Sequence, residues 1–137
     1  MEYVLFLAGA ATVIGHMFPI WLKYKGGKGV ATFFGMMIGF SASVGGLALA
    51  TWLAIAIISK RSSLAALISV ALTPVYMILY SIDDIVRLAY GTGDTYSLES
   101  MFPILGTIIL GALVFYQHRE NIKRLIAGTE PKISIPT

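Results

Sequence analysis

The chain has 137 residues, 57% of them hydrophobic and only 12% charged. Soluble domains carry roughly twice that charged fraction, so no complete water-facing shell can be built, and the reading is an all-α, polytopic integral membrane protein. The absence of cysteine excludes disulfides and thiolate metal sites, two distant histidines make no ligand cluster, and a net charge of +3 is read as basic residues beside anionic lipid rather than as a nucleic-acid footprint.

The first apolar block, Tyr3–Phe18, follows only Met1 and Glu2, without the basic start of a signal peptide, and is read as a retained span. After it comes Gly15-His-Met-Phe-Pro-Ile-Trp-Leu-Lys-Tyr-Lys-Gly-Gly-Lys-Gly-Val-Ala-Thr32. Three glycines around Lys28, just before a helix, outline a phosphate cradle: the backbone can approach an anion, the helix offers free N–H groups, and its dipole favours negative charge. It is not a Walker A loop, because Leu22 and Gly29 stand where that motif needs glycine and Ser or Thr. On chemistry alone, a flexible basic loop is an equal reading.

The next block, Val30–Ile58, is long for one upright helix and is interrupted by the small and polar Ser41-Ala-Ser-Val-Gly-Gly46. Charge decides how it runs. Two crossings with a turn near Ser41–Gly46 put Lys23, Lys25, Lys28, Lys60, Arg61, Arg119, Lys123, Arg124 and Lys132 on one face and only Arg87 on the other. The expectation is therefore five crossings, near 3–18, 30–40, 44–59, 64–80 and 101–117, with the N-terminus outside and a cytoplasmic segment 118–137, forming a single membrane domain.

Between the third and fourth spans, Ser59-Lys-Arg-Ser-Ser63 is either a basic pair at the membrane edge with Ser62 capping the next helix, or part of an anion site. Ile82, Ile85, Val86 and Ala89 recur at helical spacing, so part of Ser81–Ser100 is expected to lie on the membrane surface, with a turn at Gly91-Thr-Gly93-Asp94. After the last span, His118-Arg-Glu-Asn-Ile-Lys-Arg-Leu-Ile-Ala-Gly-Thr-Glu-Pro131 reads as a short interfacial helix ending at Gly128. On it His118 and Asn121 share a face and Glu120 can pair with Arg124 at i,i+4. A basic stop-transfer end is the plainer reading of the same residues.

Three of these strings together resemble the PlsY family, the bacterial acyl-phosphate:glycerol-3-phosphate acyltransferases. Gly-His-x-Phe-Pro with Lys-Gly-Gly-Lys-Gly-Val-Ala-Thr is similar to its second signature, and His-Arg-x-Asn-Ile-x-Arg-Leu-x-x-Gly-x-Glu-x-Lys to its third. Ser59-Lys-Arg resembles a short loop in which the family has arginine where Lys60 stands here, and an aromatic where Arg61 stands.

The resemblance implies that Gly26, Gly27, Lys28 and Gly29, with Ser59 and Lys60, hold the phosphate of glycerol 3-phosphate. It implies that His118 and Asn121 serve activity, with His16 and Glu120 in structural roles. The implied reaction moves a fatty acyl group from acyl phosphate to the 1-hydroxyl of glycerol 3-phosphate, the first step of bacterial phospholipid synthesis, in the inner membrane and without a cofactor. The implied partners are membrane lipid and an acyl-phosphate-producing enzyme. The family's first signature and its two N-terminal helices have no counterpart here, and Met1 falls at what resembles the third helix. The competing expectation is a transporter or scaffold subunit that holds lipid phosphate on the same basic face.

Overall fold

The computed structural model describes residues 2–92 and 101–134. Its secondary structure there is helical throughout: α1 (Glu2–Met17), α2 (Val30–Phe40), α3 (Ala42–Ser59), α4 (Ser62–Tyr80), α5 (Ile82–Ala89), α6 (Met101–Gln117) and α7 (Arg119–Ile126), with one 3₁₀ turn at Ile20–Leu22. α1 packs on α2, α2 on α3, α3 on α4, α4 on α6, and α6 returns to α1, so five helices close a ring.

The long helices alternate in direction, and the ring therefore has two ends. At one end aromatic residues interlock: Phe6 meets Phe40 and Phe102 edge to face, and Tyr3 meets Phe102. At the other end lie the three basic segments. Gln117 Nε2 donates to the Met17 carbonyl at 3.2 Å, and Ile133 N donates to the Lys60 carbonyl at 2.6 Å. The first bond ties the end of α6 to the end of α1, and the second ties the chain after α7 to the α3–α4 loop.

Packing inside the ring is by shape, because lipid offers an apolar side chain much the same environment as a protein core. Phe33, Met37, Val13, Met17, Val70 and Val114 are buried, while Ile57 and Ile58 point outward at 74% and 80% exposure. Polar side chains join α3 to α4 where hydrocarbon surrounds them: Ser69 Oγ donates to the Ala48 carbonyl, and Thr51 and Tyr76 share a 2.7 Å hydrogen bond. Gly45 sits directly against the backbone of Met37 and Ile38, so that α2 and α3 touch.

The turn expected near Ser41–Gly46 is sharper than the composition indicates. Ser41 alone, with φ −147° and ψ 107°, ends α2 and begins α3, and its Oγ accepts from Val44 N at 3.5 Å. Because the serine caps the second helix itself, α3 starts at Ala42 rather than near 44. The cap expected from Ser62 does not form: Arg61 occupies the N-cap position in extended backbone, and Ser62 is the first helical residue. Of the expected turn, Gly91 is left-handed at φ +67°, while Gly93 and Asp94 fall outside the described residues.

Among the described residues, the stretches 3–22, 42–59 and 62–80 are each long and apolar enough to cross a membrane, and α6 with α7 forms a pair bent by 65°. α2, at 11 residues, rises only about 16 Å against the roughly 30 Å of a hydrocarbon core.

Candidate functional site

The basic end of the ring holds an open cavity of about 840 Å³. Its polar walls come from His16, Lys28, His118, Asn121, Glu130 and Lys132, and its apolar walls from Val30, Phe34, Ile38, Leu49 and Trp52. The cavity is thus amphiphilic, with lysines from the glycine loop and the chain after α7 on one part of its wall and hydrocarbon-like side chains of α2 and α3 on another. Among the described residues no group of three or more His, Cys, Asp or Glu could hold a metal ion.

The glycine loop is built by close contact. After the 3₁₀ turn, Lys23 and Tyr24 adopt left-handed backbone (φ 51° and 63°), a conformation uncommon outside glycine. Gly27 N then donates to the His16 carbonyl at 3.1 Å, which folds the loop back on the end of α1. A Cβ on Gly26 would run into the carbonyl oxygens of His16 and Met17, and one on Gly27 into the His16 imidazole. Gly29 is the left-handed N-cap of α2 at φ 77°, packed on the Met17 side chain. Of the four expected phosphate residues in this loop, Lys28 and Gly29 line the cavity, and Gly26 and Gly27 shape the loop that carries them.

The α3–α4 loop is arranged differently from expectation. Ser59 Oγ is occupied locally, accepting from Arg61 N at 3.1 Å, and Lys60 is left-handed (φ 55°) and offers its carbonyl to Ile133. Neither lines the cavity; the next residues, Ser62 and Ser63, do. Arg61 Nε is buried without a hydrogen-bond partner.

The bend after Gln117 swings α7 across the end of the ring and buries His118 to 2% exposure. Its Nδ1 lies 2.8 Å from the Val114 carbonyl. A carbonyl can only accept, so Nδ1 carries the proton and Nε2 is the ring nitrogen left for chemistry. Burial lowers the His118 pKa below its ordinary 6.5, and the nearby Lys28 charge lowers it further. The Val114 bond and Glu130 raise it without cancelling the net fall. At neutral pH the ring is therefore neutral, with a lone pair on Nε2.

The residue that sequence reasoning passed over is Glu130. Its carboxylate is buried and accepts from Ser63 Oγ, from Asn121 Nδ2 at 2.7 Å and from Arg124 Nε at 2.8 Å. Burial pushes its pKa up, but the hydrogen bonds from Ser63, Asn121 and Arg124 and the charge of Arg124 outweigh it and hold the group at about 2. Glu130 thus joins α4, α7 and the chain's last described segment at one point. Glu120, expected to pair with Arg124, instead pairs with Lys123 at 3.0 Å on the exposed outer face of α7, because Arg124 is taken by Glu130. An ion pair so solvated contributes little to stability. The buried structural carboxylate of this segment is Glu130. The one available signal was its place in the Gly-x-Glu-x-Lys string itself.

A family model described as glycerol-3-phosphate acyltransferase matches residues 1–128. The glycerol-3-phosphate acyltransferase of Thioalkalivibrio sulfidiphilus is 43% identical over 93% of this chain and 54% of its own length, and that of Caulobacter vibrioides 40% identical over 95% and 52%. Crystal structures of PlsY (YgiH), an integral membrane glycerol 3-phosphate acyltransferase, superpose at 32% identity. The glycerol 3-phosphate form gives a TM-score of 0.73 over 96% of this chain and 57% of that one, and the lysophosphatidic acid form 0.72 over 95% and 58%. The chain spans about half the length of the relatives it matches. By sequence along most of its length and by the arrangement of its helices, this all-helical membrane protein belongs to the glycerol-3-phosphate acyltransferase family.

Proposed function

We propose that the chain carries out, or forms the larger part of a site that carries out, transfer of a fatty acyl group from acyl phosphate to the 1-hydroxyl of glycerol 3-phosphate. The observation that carries the proposal is the amphiphilic cavity, where a neutral His118, Lys28 and a helix N-terminus share a wall with apolar side chains of α2 and α3. An anion with a hydrocarbon tail fits both halves, and the relatives bear the matching name.

In this reading the loop through Gly26, Gly27, Lys28 and Gly29 holds the glycerol 3-phosphate, with a further hydroxyl donor from Ser62 at the start of α4. His118 Nε2 takes the proton of the 1-hydroxyl as its oxygen attacks the acyl carbonyl carbon. The new ester bond forms as the carbon–oxygen bond to phosphate breaks, and inorganic phosphate leaves with the bond's electron pair. Asn121, one amide N–H already committed to Glu130, orients the substrate with the other and with its carbonyl. Acyl phosphate is already activated, so the protein supplies positioning and charge neutralisation rather than a nucleophile. His16 and Glu120 have supporting roles, one against the loop and the other on the outer face of α7.

The five ring helices cross the bacterial inner membrane with the cavity on the cytoplasmic side and the N-terminus outside. α2 reaches across because it is flanked by α1 and α3, or because the bilayer thins beside it. A supplying enzyme that makes acyl phosphate is the expected partner.

The test is production of 1-acylglycerol 3-phosphate from palmitoyl phosphate and labelled glycerol 3-phosphate by the chain in lipid nanodiscs, with the Thioalkalivibrio relative as positive control. Product formation that is abolished by Lys28→Ala while insertion is retained supports the reading. No product, and no binding of glycerol 3-phosphate, under conditions where the relative turns over would refute it.

A further inference from the structure

The chain after α7 folds back over the basic end of the ring. Gly128 turns it in left-handed backbone (φ +72°), and Glu130 pins it in a buried three-way contact to α4 and α7. Ile133 N then bonds the Lys60 carbonyl. Between those two anchors lie Pro131, which has no N–H and a fixed φ, and Lys132. All four residues from Glu130 to Ile133 line the cavity. A short segment held on both sides of Lys132, with proline beside it, has little conformational freedom left to lose when a ligand binds.

The charge on the cavity wall is short by one. A phosphate monoester carries about −1.5 to −2 at neutral pH. Of the charged residues that line the cavity, Glu130 is neutralised by Arg124, and His118 is neutral. Lys28 and Lys132 remain. Lys123 is spent on Glu120 outside the cavity. One lysine leaves the monoester half compensated, whereas two match it.

We infer that residues 128–133 form a strap across the cavity mouth and that Lys132 on it is a second phosphate-binding cation opposite the glycine loop. The strap rests on the acyl-transfer reading for the identity of the ligand. Its binding role needs only a phosphate monoester in the cavity, from a soluble glycerol phosphate or from a lipid headgroup.

The experiment is lysine footprinting of the whole chain in nanodiscs. An amine-acylating reagent is applied with and without glycerol 3-phosphate, in neutral nanodiscs and in nanodiscs containing phosphatidic acid, and labelled peptides are quantified with Lys123 as reference. The expected result is protection of both Lys28 and Lys132 by glycerol 3-phosphate in neutral nanodiscs, with Lys123 unchanged. Lys132→Gln then weakens glycerol 3-phosphate binding about tenfold, the effect of one charge-assisted hydrogen bond, and Lys132→Arg restores most of it. Protection of Lys28 without Lys132 overturns the strap and leaves the proposed function standing. Protection of neither overturns both. Protection of Lys132 only by phosphatidic acid overturns its assignment to the soluble substrate and makes it a headgroup contact.

Discussion

Replacing Glu130 by glutamine keeps the side chain's volume and removes its charge, which isolates the electrostatic part of the three-way contact. An amide oxygen still accepts from Ser63 and Asn121, but as neutral bonds worth about 1 kcal/mol each in place of charge-assisted bonds worth about 2. The amide nitrogen then faces Arg124 Nε, donor against donor. That pair is discounted to about 1 kcal/mol because the Arg124 side chain is 43% exposed. The expected loss is about 3 kcal/mol, a large part of the 5–15 kcal/mol typical of a domain.

The loss carries a pH signature. The folded pKa of Glu130 is depressed from 4.5 to about 2, so its stabilisation is fully present above pH 4.5 and disappears as pH falls toward 2. Unfolding of the chain and of Glu130→Gln in detergent, followed by tryptophan fluorescence at pH 7, 5, 4 and 3, measures the gap directly. The gap should be constant from pH 7 to 5 and shrink below 4.5. A gap under 1 kcal/mol at pH 7, or one unchanged at pH 3, refutes the buried carboxylate as the pin of this end.

Other outcomes follow from single contacts. Because burial holds His118 below 6.5, acyl transfer should be flat around pH 7 and fall only on the acid side of 6.5, and His118→Ala should lower kcat by about 10²–10⁴; a profile still rising through pH 7–8 contradicts a neutral imidazole there. Gly26→Ala meets two carbonyl oxygens and should raise the KM for glycerol 3-phosphate at least tenfold, whereas Gly35→Ala, with open space at its Cβ and a helix interior around it, should be tolerated or stabilise by about 0.5–1 kcal/mol, as unfolding and kinetics will report. Gly45→Ala pushes into the α2 backbone and should cost more than 1 kcal/mol in the same unfolding assay, since backbone gives way less than a side chain.

Much of the architecture was legible because it is periodic and charge-sorted. The limits of the apolar blocks fall within a few residues of α1, α2, α3, α4 and α6, and the break inside Val30–Ile58 is real, at Ser41. The positive residues that the charge count placed on one face do gather at one end of the ring, where Gln117 is bonded to Met17 and Ile133 to Lys60. Less visible were the features that depend on chain return. Glu120 and Glu130 look alike in sequence, and only the fold-back of residues 128–133 buries one and leaves the other solvated. The same return claims the Lys60 carbonyl. The tight loop Ser59–Arg61 turns Ser59 onto its own backbone, so the cavity wall passes to Ser62 and Ser63. Spacing along a loop does not reveal which of five adjacent polar side chains points inward.

The shared cavity requires three segments, far apart in sequence, to face one aqueous compartment together. The chain has no cysteine, so single cysteines at Lys25, Lys60 and Thr129, with a fourth at Thr92, can each be probed in intact cells and inverted vesicles by a membrane-impermeant maleimide. The first three should react only from the cytoplasmic side and Thr92 only from the opposite side. Reaction of the Lys25 and Lys60 positions from opposite sides would contradict the shared cavity and everything built on it.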